Sequence, residues 1–553
     1  MTTVRNPGAT PAEPPGEARP RLAPTPVRVT PETELTLLLD VGSAWTKAAL
    51  VGRAGGRWRI VSGTAQPTAW GESVLVEDLV GRLTPHADAR LARRLANLVR
   101  EAPRITCRSP RRAGRLAVVG DTTAGVESAM AVAVRSGWTV EAGVGGDDRK
   151  SDAERFTLLR GVEVDAWLAV PSGGHGDRLW GLMAGARGPS SAPVVVVAAD
   201  DQEDRFTALF GTGTRVISSV IDDRLAEALF DRLTAMNGLG QPRSATPVAF
   251  GRAMEALARG LGLTVLGIDA GSSWLAWHHA TGRDMGRTAV IAATPDQPLP
   301  SGSRAAAEVL PADVDEFTTT DAMASLAARR SAIPASPVEA AIAQAIGIDR
   351  LAAARRWLGG CPPVDLLVGG GRLLVGSSHP ADAAMILLDG LRPPGITQLA
   401  LDPWGICGPL GGLPDADIDE ALETLRDDLL MPLGTAVVSR GGQSGQLAFR
   451  ARLHRPGWPD STAVEVRAGS MTVLPLERGA AGELEIELER GVHIGPPVRG
   501  QRLRASVTGG AVGIVLDARD DPIQLPTRPG DARSMIQAWR DALRRETRPG
   551  GTG

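Results

Sequence analysis

The sequence predicts a mixed α/β fold built on a duplicated strand–turn–strand unit, with an inserted parallel α/β lobe and a small all-β region near the C-terminal end. Three observations carry that prediction. The apolar run Leu37–Leu39 ends in Asp40-Val41-Gly42-Ser43, and a second apolar run ends in Asp269-Ala270-Gly271-Ser272. Strands alternate with helical stretches between about 115 and 235, as in βαβ units over a parallel sheet. Beyond Leu433 the texture turns to short alternating strands separated by Gly and Pro, as in a small barrel or sandwich.

Residues 1–33 are rich in Pro and in small or charged residues that bury too little apolar surface to offset ordering entropy, so a disordered tail is expected there. From Leu35 a strand, a Gly turn, a strand around Trp58–Gly63 and a third around Ser73–Val80 form an expected meander. The helical stretch Ala87–Arg100, with Leu91, Leu95 and Leu98 on one stripe, would cover it. The inserted lobe, Rossmann-like or flavodoxin-like, begins with the strand at Arg115 and the small-residue helix Ala124–Ser136. It closes with the strand Thr214–Ser219 and the amphipathic helix Asp222–Met236. A helix at Ala249–Gly260 leads into the second strand–turn unit. Helices at Pro337–Leu358 and Pro380–Leu391 flank a buried strand, Val364–Val368, and a last helix spans Ala532–Arg545. The expected divisions are therefore 1–33, 34–262 with its insert, 263–432 and 433–553.

At 553 residues the chain exceeds one ordinary core, and about 150 residues per domain suggests three or four units. A net charge of -3 offers no basic excess to neutralise a phosphate backbone, so nucleic acid is not an expected partner. Cys107, Cys361 and Cys407 lie far apart with no C-x-x-C pair, which argues against a disulfide framework or a thiolate metal site. No run approaches about 18 uninterrupted apolar residues. A cytoplasmic protein with no membrane partner is the expectation.

The chemistry-bearing candidates are three glycine turns. In the first, Gly42 permits a tight turn at which backbone N–H groups and the hydroxyls of Ser43 and Thr46 can meet a phosphate; Lys47 adds positive charge. Asp40 stands where it can hold Mg²⁺ through water. The second turn repeats the pattern with Asp269, Gly271 and Ser272. Two such turns facing each other make a clamp for the phosphates of a nucleotide, with Asp40 and Asp269 facing a metal ion or attacking water as candidate catalytic and metal-binding groups. The third is Gly369-Gly370-Gly371 after a buried strand, where glycines let a flat adenosine approach the backbone.

In this order the three segments resemble the phosphate-1, phosphate-2 and adenosine elements of the acetate and sugar kinase, Hsc70 and actin superfamily. That resemblance implies a duplicated ribonuclease-H-like (ASKHA) ATPase fold, with 34–262 and 263–432 as its two lobes and ATP with Mg²⁺ as cofactors. More narrowly, several segments resemble the glutamate mutase accessory proteins called MutL or GlmL. They are LLLDVGSAWTKAALV, TPVAFGRAMEALAR before VLGIDAGSS, LPADVDEF (Leu310–Phe317), LLVGGGRLLVGSSHPADAAMILLDGLRPPGITQLALD (Leu366–Asp402) and GGAVGIVLDARDDPIQLP near the end. The narrower resemblance implies an ATP-dependent accessory or reactivating chaperone of an adenosylcobalamin-dependent mutase. The chain itself lacks D-x-H-x-x-G, the pattern of a cobalamin-binding protein.

Two departures bear on chemistry. After the second turn the family continues with Thr-Thr-Asp, whereas this chain has Trp274-Leu275-Ala276, so groups expected to bind phosphate and orient water are apolar. The segment Val170–Gly176 stands where the family has a Gly-Gly-Thr-Asp-Gly-Gly-like turn. Slow or absent hydrolysis is the expectation, and whether the chain is an enzyme stays open. A non-catalytic pseudo-ATPase scaffold is the alternative, and a small-molecule kinase a third. Among single residues, His278 and His279 point to opposite strand faces, the Asp200–Asp204 run reads as a solvated loop, His175 between glycines reads as an exposed loop histidine rather than a ligand contact, and Ser172 and Ser444 belong to no recognisable triad. Trp274 and Trp277 read as core side chains, and Arg372 is open between phosphate and solvent.

Overall fold

The structure is a computed structural model. It describes residues 30–545 except 31–32, 55–56, 86–87, 172–175, 189–191, 199–201, 212, 218–220, 222, 239–244, 283–286, 293–315, 329–332, 456, 458–462 and 496–501. The turn at 172–175, most of the Leu310–Phe317 run, Asp200 and the N-terminal residues 1–29 therefore lie outside the described residues.

Strands β1 (Leu35–Val41), β2 (Trp45–Ala54), β3 (Arg57–Pro67) and β4 (Arg104–Arg108) form a first sheet in the order β3-β2-β1-β4, with β1 antiparallel to β2 and parallel to β4. Strands β5 (Gly114–Gly120), β6 (Trp138–Gly145), β7 (Ala166–Val170), β8 (Val194–Val197) and β9 (Arg215–Ile217) form an all-parallel sheet in the order β6-β5-β7-β8-β9. This is the doubly wound arrangement of flavodoxin-like sheets, with the first strand inside the second.

The second half opens with β10 (Val265–Ala270), β11 (Trp274–Ala280), β12 (Arg287–Ala292), β13 (Leu366–Gly370), β14 (Gly395–Leu401) and β15 (Met431–Arg440). Its order, β12-β11-β10-β13, repeats that of the first sheet, again with an antiparallel meander and a parallel fourth strand. The remaining strands are β16 (Leu447–His454), β17 (Val464–Arg467), β18 (Met471–Leu474), β19 (Ala481–Leu488), β20 (His493–Ile494), β21 (Arg502–Thr508) and β22 (Gly513–Asp517).

The two repeated sheets are separated by helices. Leu38, Ala49 and Ile60 of the first sheet pack against Phe250, Met254 and Leu257 of the helix Thr246–Leu261, whose other contacts include Val265, Leu366 and Val368 of the second sheet. The outer face of the first sheet is covered by the helices Glu72–Leu83 and Ala89–Glu101, and that of the second by Pro337–Trp357, Pro380–Leu391 and Pro529–Arg545. The layers thus run helix, sheet, helix, sheet, helix, each sheet burying both faces as β-strands with near-continuous apolar runs require.

Two sequence expectations change. The strand expected at Ser73–Val80 is part of the helix Glu72–Leu83. Its Val-Leu-Val run has strand propensity, but Leu75, Val76 and Leu79 recur at helical spacing and bury together against β1 and β2, so packing overrides propensity. The β region beyond Leu433 is not a separate unit. Among its strands, β15, β22 and β18 extend the second sheet through β14, while β17-β16-β19-β21 make a sheet of their own. Val437, Ile514 and Leu516 face that smaller sheet across a shared core, which is why the strands divide rather than close on themselves.

Contact between the central helices is close. A Cβ added at Gly411, in the short helix Cys407–Gly411, would sit 1.6 Å from the carbonyl oxygen of Ala249. Gly411→Ala should therefore cost about 1–3 kcal/mol, the usual penalty for overpacking a core, read as a lower midpoint in thermal or denaturant unfolding. A midpoint unchanged from wild type would show that the two helices separate freely. Among the described residues, no helix is long and apolar enough to cross a membrane.

Candidate functional site

The repeated units place their aspartates alike. Asp40 is the last but one residue of β1 and Asp269 of β10, each at the carboxyl end of a strand that runs parallel to its neighbour, where open α/β sheets gather ligands. Each strand then makes the same turn. Gly42 N–H donates to Trp45 O at 3.0 Å, and Gly271 N–H donates to Trp274 O at 2.8 Å. The two motifs are thus one device, Asp-x-Gly-Ser-x-Trp, folded twice. Ser43 and Ser272 sit at the two turn tips, half-buried.

The return strands differ. Across from Asp40 the register places Lys47, and across from Asp269 it places Ala276. Lys47 Nζ donates to Asp40 Oδ2 at 3.0 Å, while Thr246 Oγ1 donates to Asp40 Oδ1 at 2.9 Å and Cys107 Sγ lies 3.5 Å from the same oxygen. Thr46 points to the opposite face, where its hydroxyl donates to Thr68 Oγ1, which in turn donates to Gly42 O. That hydroxyl fixes the turn rather than facing the cluster.

A third carboxylate, absent from the sequence candidates, completes the group. Asp402 follows β14, is buried, and accepts the N–H groups of Ile406 (3.1 Å) and Cys407 (2.9 Å). Burial opposes the charge on Lys47, yet Asp40, then Asp269 and Asp402, hold its pKa above that of an ordinary lysine. Burial first, opposed by Lys47 and reinforced by Asp40 and Asp402, raises Asp269 to about 6. Burial raises Asp402 as well. The thiols of Cys107 and Cys407 are raised by burial and by their carboxylate neighbours, so they serve as weak donors and not as nucleophiles. The signal for Asp402 was present in the sequence: an apolar strand ending in Asp occurs at Leu39-Asp40, Ile268-Asp269 and Leu401-Asp402.

The Gly369–Gly371 segment has a packing reason of its own. A Cβ at Gly369 would meet Leu374 and Leu401 at 2.9 Å, and one at Gly371 (φ 79°) would meet Ala270 O and Asp269 Oδ1 at 2.5 Å. Gly371 thus lets the chain after β13 pass directly over the Asp269 carboxylate. Arg372 follows, partly buried, with its guanidinium 5.4 Å from the ring centroid of Trp45 in the first turn. Behind the second turn, Arg350 donates to Gly271 O at 3.4 Å and Ser272 O at 3.2 Å.

Trp274 is a packing residue. Its Nε1 donates to Pro110 O at 2.6 Å, and its ring joins the core of the five-stranded lobe, where a Cβ at Gly137 would strike it at 2.6 Å. Trp274 therefore ties the second turn to the inserted lobe. Trp274→Phe, which keeps the ring and removes the donor, should cost about 1 kcal/mol in a denaturant titration. A neutral outcome would mean that Pro110 O finds another donor. Trp277 packs in the core of the second sheet, and His278 is buried with Nε2 3.3 Å from Glu255.

Three carboxylates around one lysine leave the cluster short of positive charge. A bare anion would be repelled there; a cation, or a phosphate carried by a cation, would be favoured. Among the described residues, no three His, Cys, Asp or Glu side chains converge closely enough to hold a metal directly. A hydrated cation would find its carboxylates in Asp40 and Asp269, beside the turns at Gly42 and Gly271.

No protein-family model matches the sequence, and no curated protein matches it. Solved structures similar to the chain include nucleotide-free acetone carboxylase, from a study of ATP-dependent acetone carboxylation (12% identity, TM-score 0.32, 78% of this chain and 81% of that one). They also include the Aquifex aeolicus PPX-GPPA enzyme (11%, TM-score 0.18, 62% and 70%) and a carbohydrate kinase from Novosphingobium aromaticivorans (11%, TM-score 0.24, 72% and 94%). Likenesses this loose carry no argument about chemistry, which rests on the repeated turns and the charge cluster between the sheets.

Proposed function

We propose that the chain is a nucleotide-binding protein of the actin, Hsp70 and sugar-kinase type that takes ATP as its Mg²⁺ complex between the turns Gly42–Trp45 and Gly271–Trp274. The observation that carries this reading is the duplication: the same turn, closed by the same Gly-to-Trp hydrogen bond, ends the same strand in two sheets that share the order of four strands, β3-β2-β1-β4 and β12-β11-β10-β13. The metal ion would supply the positive charge that the carboxylates lack. Lys47 would bind phosphate from the first return strand. Ala276 offers no counterpart on the second and no group to orient water, so hydrolysis is slow or absent.

At the finer level the reading is a MutL- or GlmL-like accessory protein of a cytoplasmic adenosylcobalamin-dependent mutase, supported by the quoted segments alone. The direct experiment is calorimetric titration of the purified chain with MgATP, followed by phosphate-release measurement at saturation. Binding without turnover is the expected result, and no heat at millimolar MgATP would overturn the nucleotide reading.

One observation favours the scaffold alternative. A Cβ at Gly405 would fall 2.2 Å from the Lys47 side chain, and one at Gly63 would fall 2.3 Å from the Trp404 ring, so the chain after β14 already lies against the first hairpin. A titration with no nucleotide binding but with capture of a partner enzyme would select that alternative. The kinase reading requires a general base aimed at an acceptor hydroxyl, and transfer of phosphate to any hydroxylated metabolite would select it.

A further inference from the structure

We propose that Arg350 is a positioning residue for the second turn: it draws the Gly271 and Ser272 carbonyls to the outer face of the second sheet and so directs the Ser272 and Ser273 N–H groups to the inner face. The proposal rests on the nucleotide reading above and names the group that prepares one half of its site. Gly271 O and Ser272 O both accept from Arg350 Nη1, at 3.4 and 3.2 Å. In a planar trans peptide the N–H points opposite to the C=O it is joined to. Two carbonyls gathered on one nitrogen therefore send the next two N–H groups, those of Ser272 and Ser273, the other way.

Alternation along β10 identifies that side. Leu266, Ile268 and Ala270 share a core with Ile348, Leu351 and Ala354 of the helix Pro337–Trp357, which carries Arg350 on the outer face. The residues between them face inward: a Cβ at Gly267 would meet Met254 and Phe250 of the helix Thr246–Leu261, and Asp269 is the next residue on that face. The two N–H groups thus turn to the side of the Asp269 carboxylate, as successive N–H groups do in an anion-binding nest. The first turn is tied back in the same way by a different donor. Gly42 O, the counterpart of Gly271 O, accepts from Thr68 Oγ1 at 2.9 Å, and Thr68 bonds Thr46 on the face opposite Asp40. The second turn depends more on this device. Its return strand presents Ala276 where the first presents Lys47, so its hold on phosphate rests on the direction of its N–H groups.

The test is calorimetry with MgATP and, separately, with adenosine, on wild type, Arg350→Met and Arg350→Lys. Methionine keeps most of the stem and removes the donors; lysine keeps a charged donor of similar reach. Arg350→Met should weaken MgATP about tenfold, the scale of one hydrogen bond, and leave adenosine affinity unchanged. Arg350→Lys should recover most of the loss. The ratio of wild-type to Arg350→Met affinity should persist in high salt, because a hydrogen bond to a carbonyl is not screened as a distant charge is. A ratio that collapses to one in high salt assigns the effect to long-range charge and overturns the positioning role. Equal MgATP affinity in wild type and Arg350→Met, an equal loss for adenosine, or a lysine variant no better than methionine also overturns it and leaves the nucleotide reading standing. Wild type that binds no MgATP overturns both readings together.

Discussion

Asp517→Ala should destabilise the protein by about 3–5 kcal/mol, the usual cost of removing one partner from a buried ion network. Asp517 is fully buried at the end of β22. It accepts Arg392 Nη1 at 2.7 Å, Arg519 Nη2 at 2.8 Å, Arg519 Nε at 3.0 Å and the Arg519 backbone N–H at 2.9 Å. Both arginines are buried as well. Arg519 also meets Asp389 at 2.8 Å and stacks 4.6 Å from the centroid of Trp539, while Arg392 donates to Arg519 O. Without the carboxylate, Arg519 would keep Asp389, while the buried Arg392 would lose the carboxylate it bonds. Asp517→Asn keeps the shape and one acceptor oxygen, so its cost should be smaller.

The same network has a pH signature. Burial works against the Asp517 charge, but Arg392 and then Arg519 overcome it and hold the carboxyl at about 2, below its ordinary 3.8. A carboxylate depressed in the folded state contributes stability that is complete above the unfolded pKa and is lost as pH falls through the folded one. Between about pH 4 and pH 2 the unfolded chain takes up a proton that the folded chain refuses. This group should then remove about 2 kcal/mol of stability across that window. Denaturant titrations at pH 5, 4, 3 and 2 should show the fall in wild type and lose this share of it in Asp517→Ala. Parallel curves for the two proteins would rule out Asp517 as its source.

This network also shows what was legible in the sequence and what was not. The repeated Asp-x-Gly-Ser turns could be read because strand, glycine and carboxylate are contiguous, and local chemistry sets them. The helices Pro380–Leu391 and Asp223–Met236 were legible from helical periodicity, and both stand within one residue of expectation. Arg392, Asp517 and Arg519 carried no local signal. They lie in two segments far apart in the sequence, and only the fold brings those segments into one hydrogen-bonded unit. Asp402 ends an apolar strand as Asp40 and Asp269 do, but that signal alone does not give its role. Its neighbours Pro403, Trp404 and Gly405 form no motif, and its role depends on Lys47 arriving from a hairpin far away in the chain. Trp274 reads as a strand core residue, but its surroundings are Pro110 and Gly137, in the loops that lead into β5 and β6, and Leu233, in the helix Asp223–Met236, which periodicity within one strand never reveals.

Lys47→Met should affect both stability and binding, and the two effects can be separated. Lys47 is the only cation among the groups that set its pKa, which are Asp40, Asp269 and Asp402. Methionine keeps most of the apolar stem and removes the charge. Asp40, buried, retains Thr246 and Cys107 but loses its counter-ion, and a penalty of about 3 kcal/mol is expected, the low end for breaking a buried pair. The penalty is limited because the cluster can take up a proton instead. Carboxylates whose pKa is raised in the folded state hold protons that the unfolded chain has released, so stability declines as pH rises through the raised value and recovers as pH falls. The deficit of Lys47→Met against wild type should therefore be largest near pH 7–8 and shrink toward pH 5. A deficit independent of pH would indicate lost packing rather than lost charge. Binding gives the second readout. At a temperature where the variant is fully folded, MgATP affinity should fall about 10- to 100-fold, the worth of a charged hydrogen bond to phosphate, while added Mg²⁺ alone should raise the unfolding midpoint more than in wild type. That inversion is the discriminating result: a cluster relieved of its lysine should welcome a divalent cation and reject phosphate.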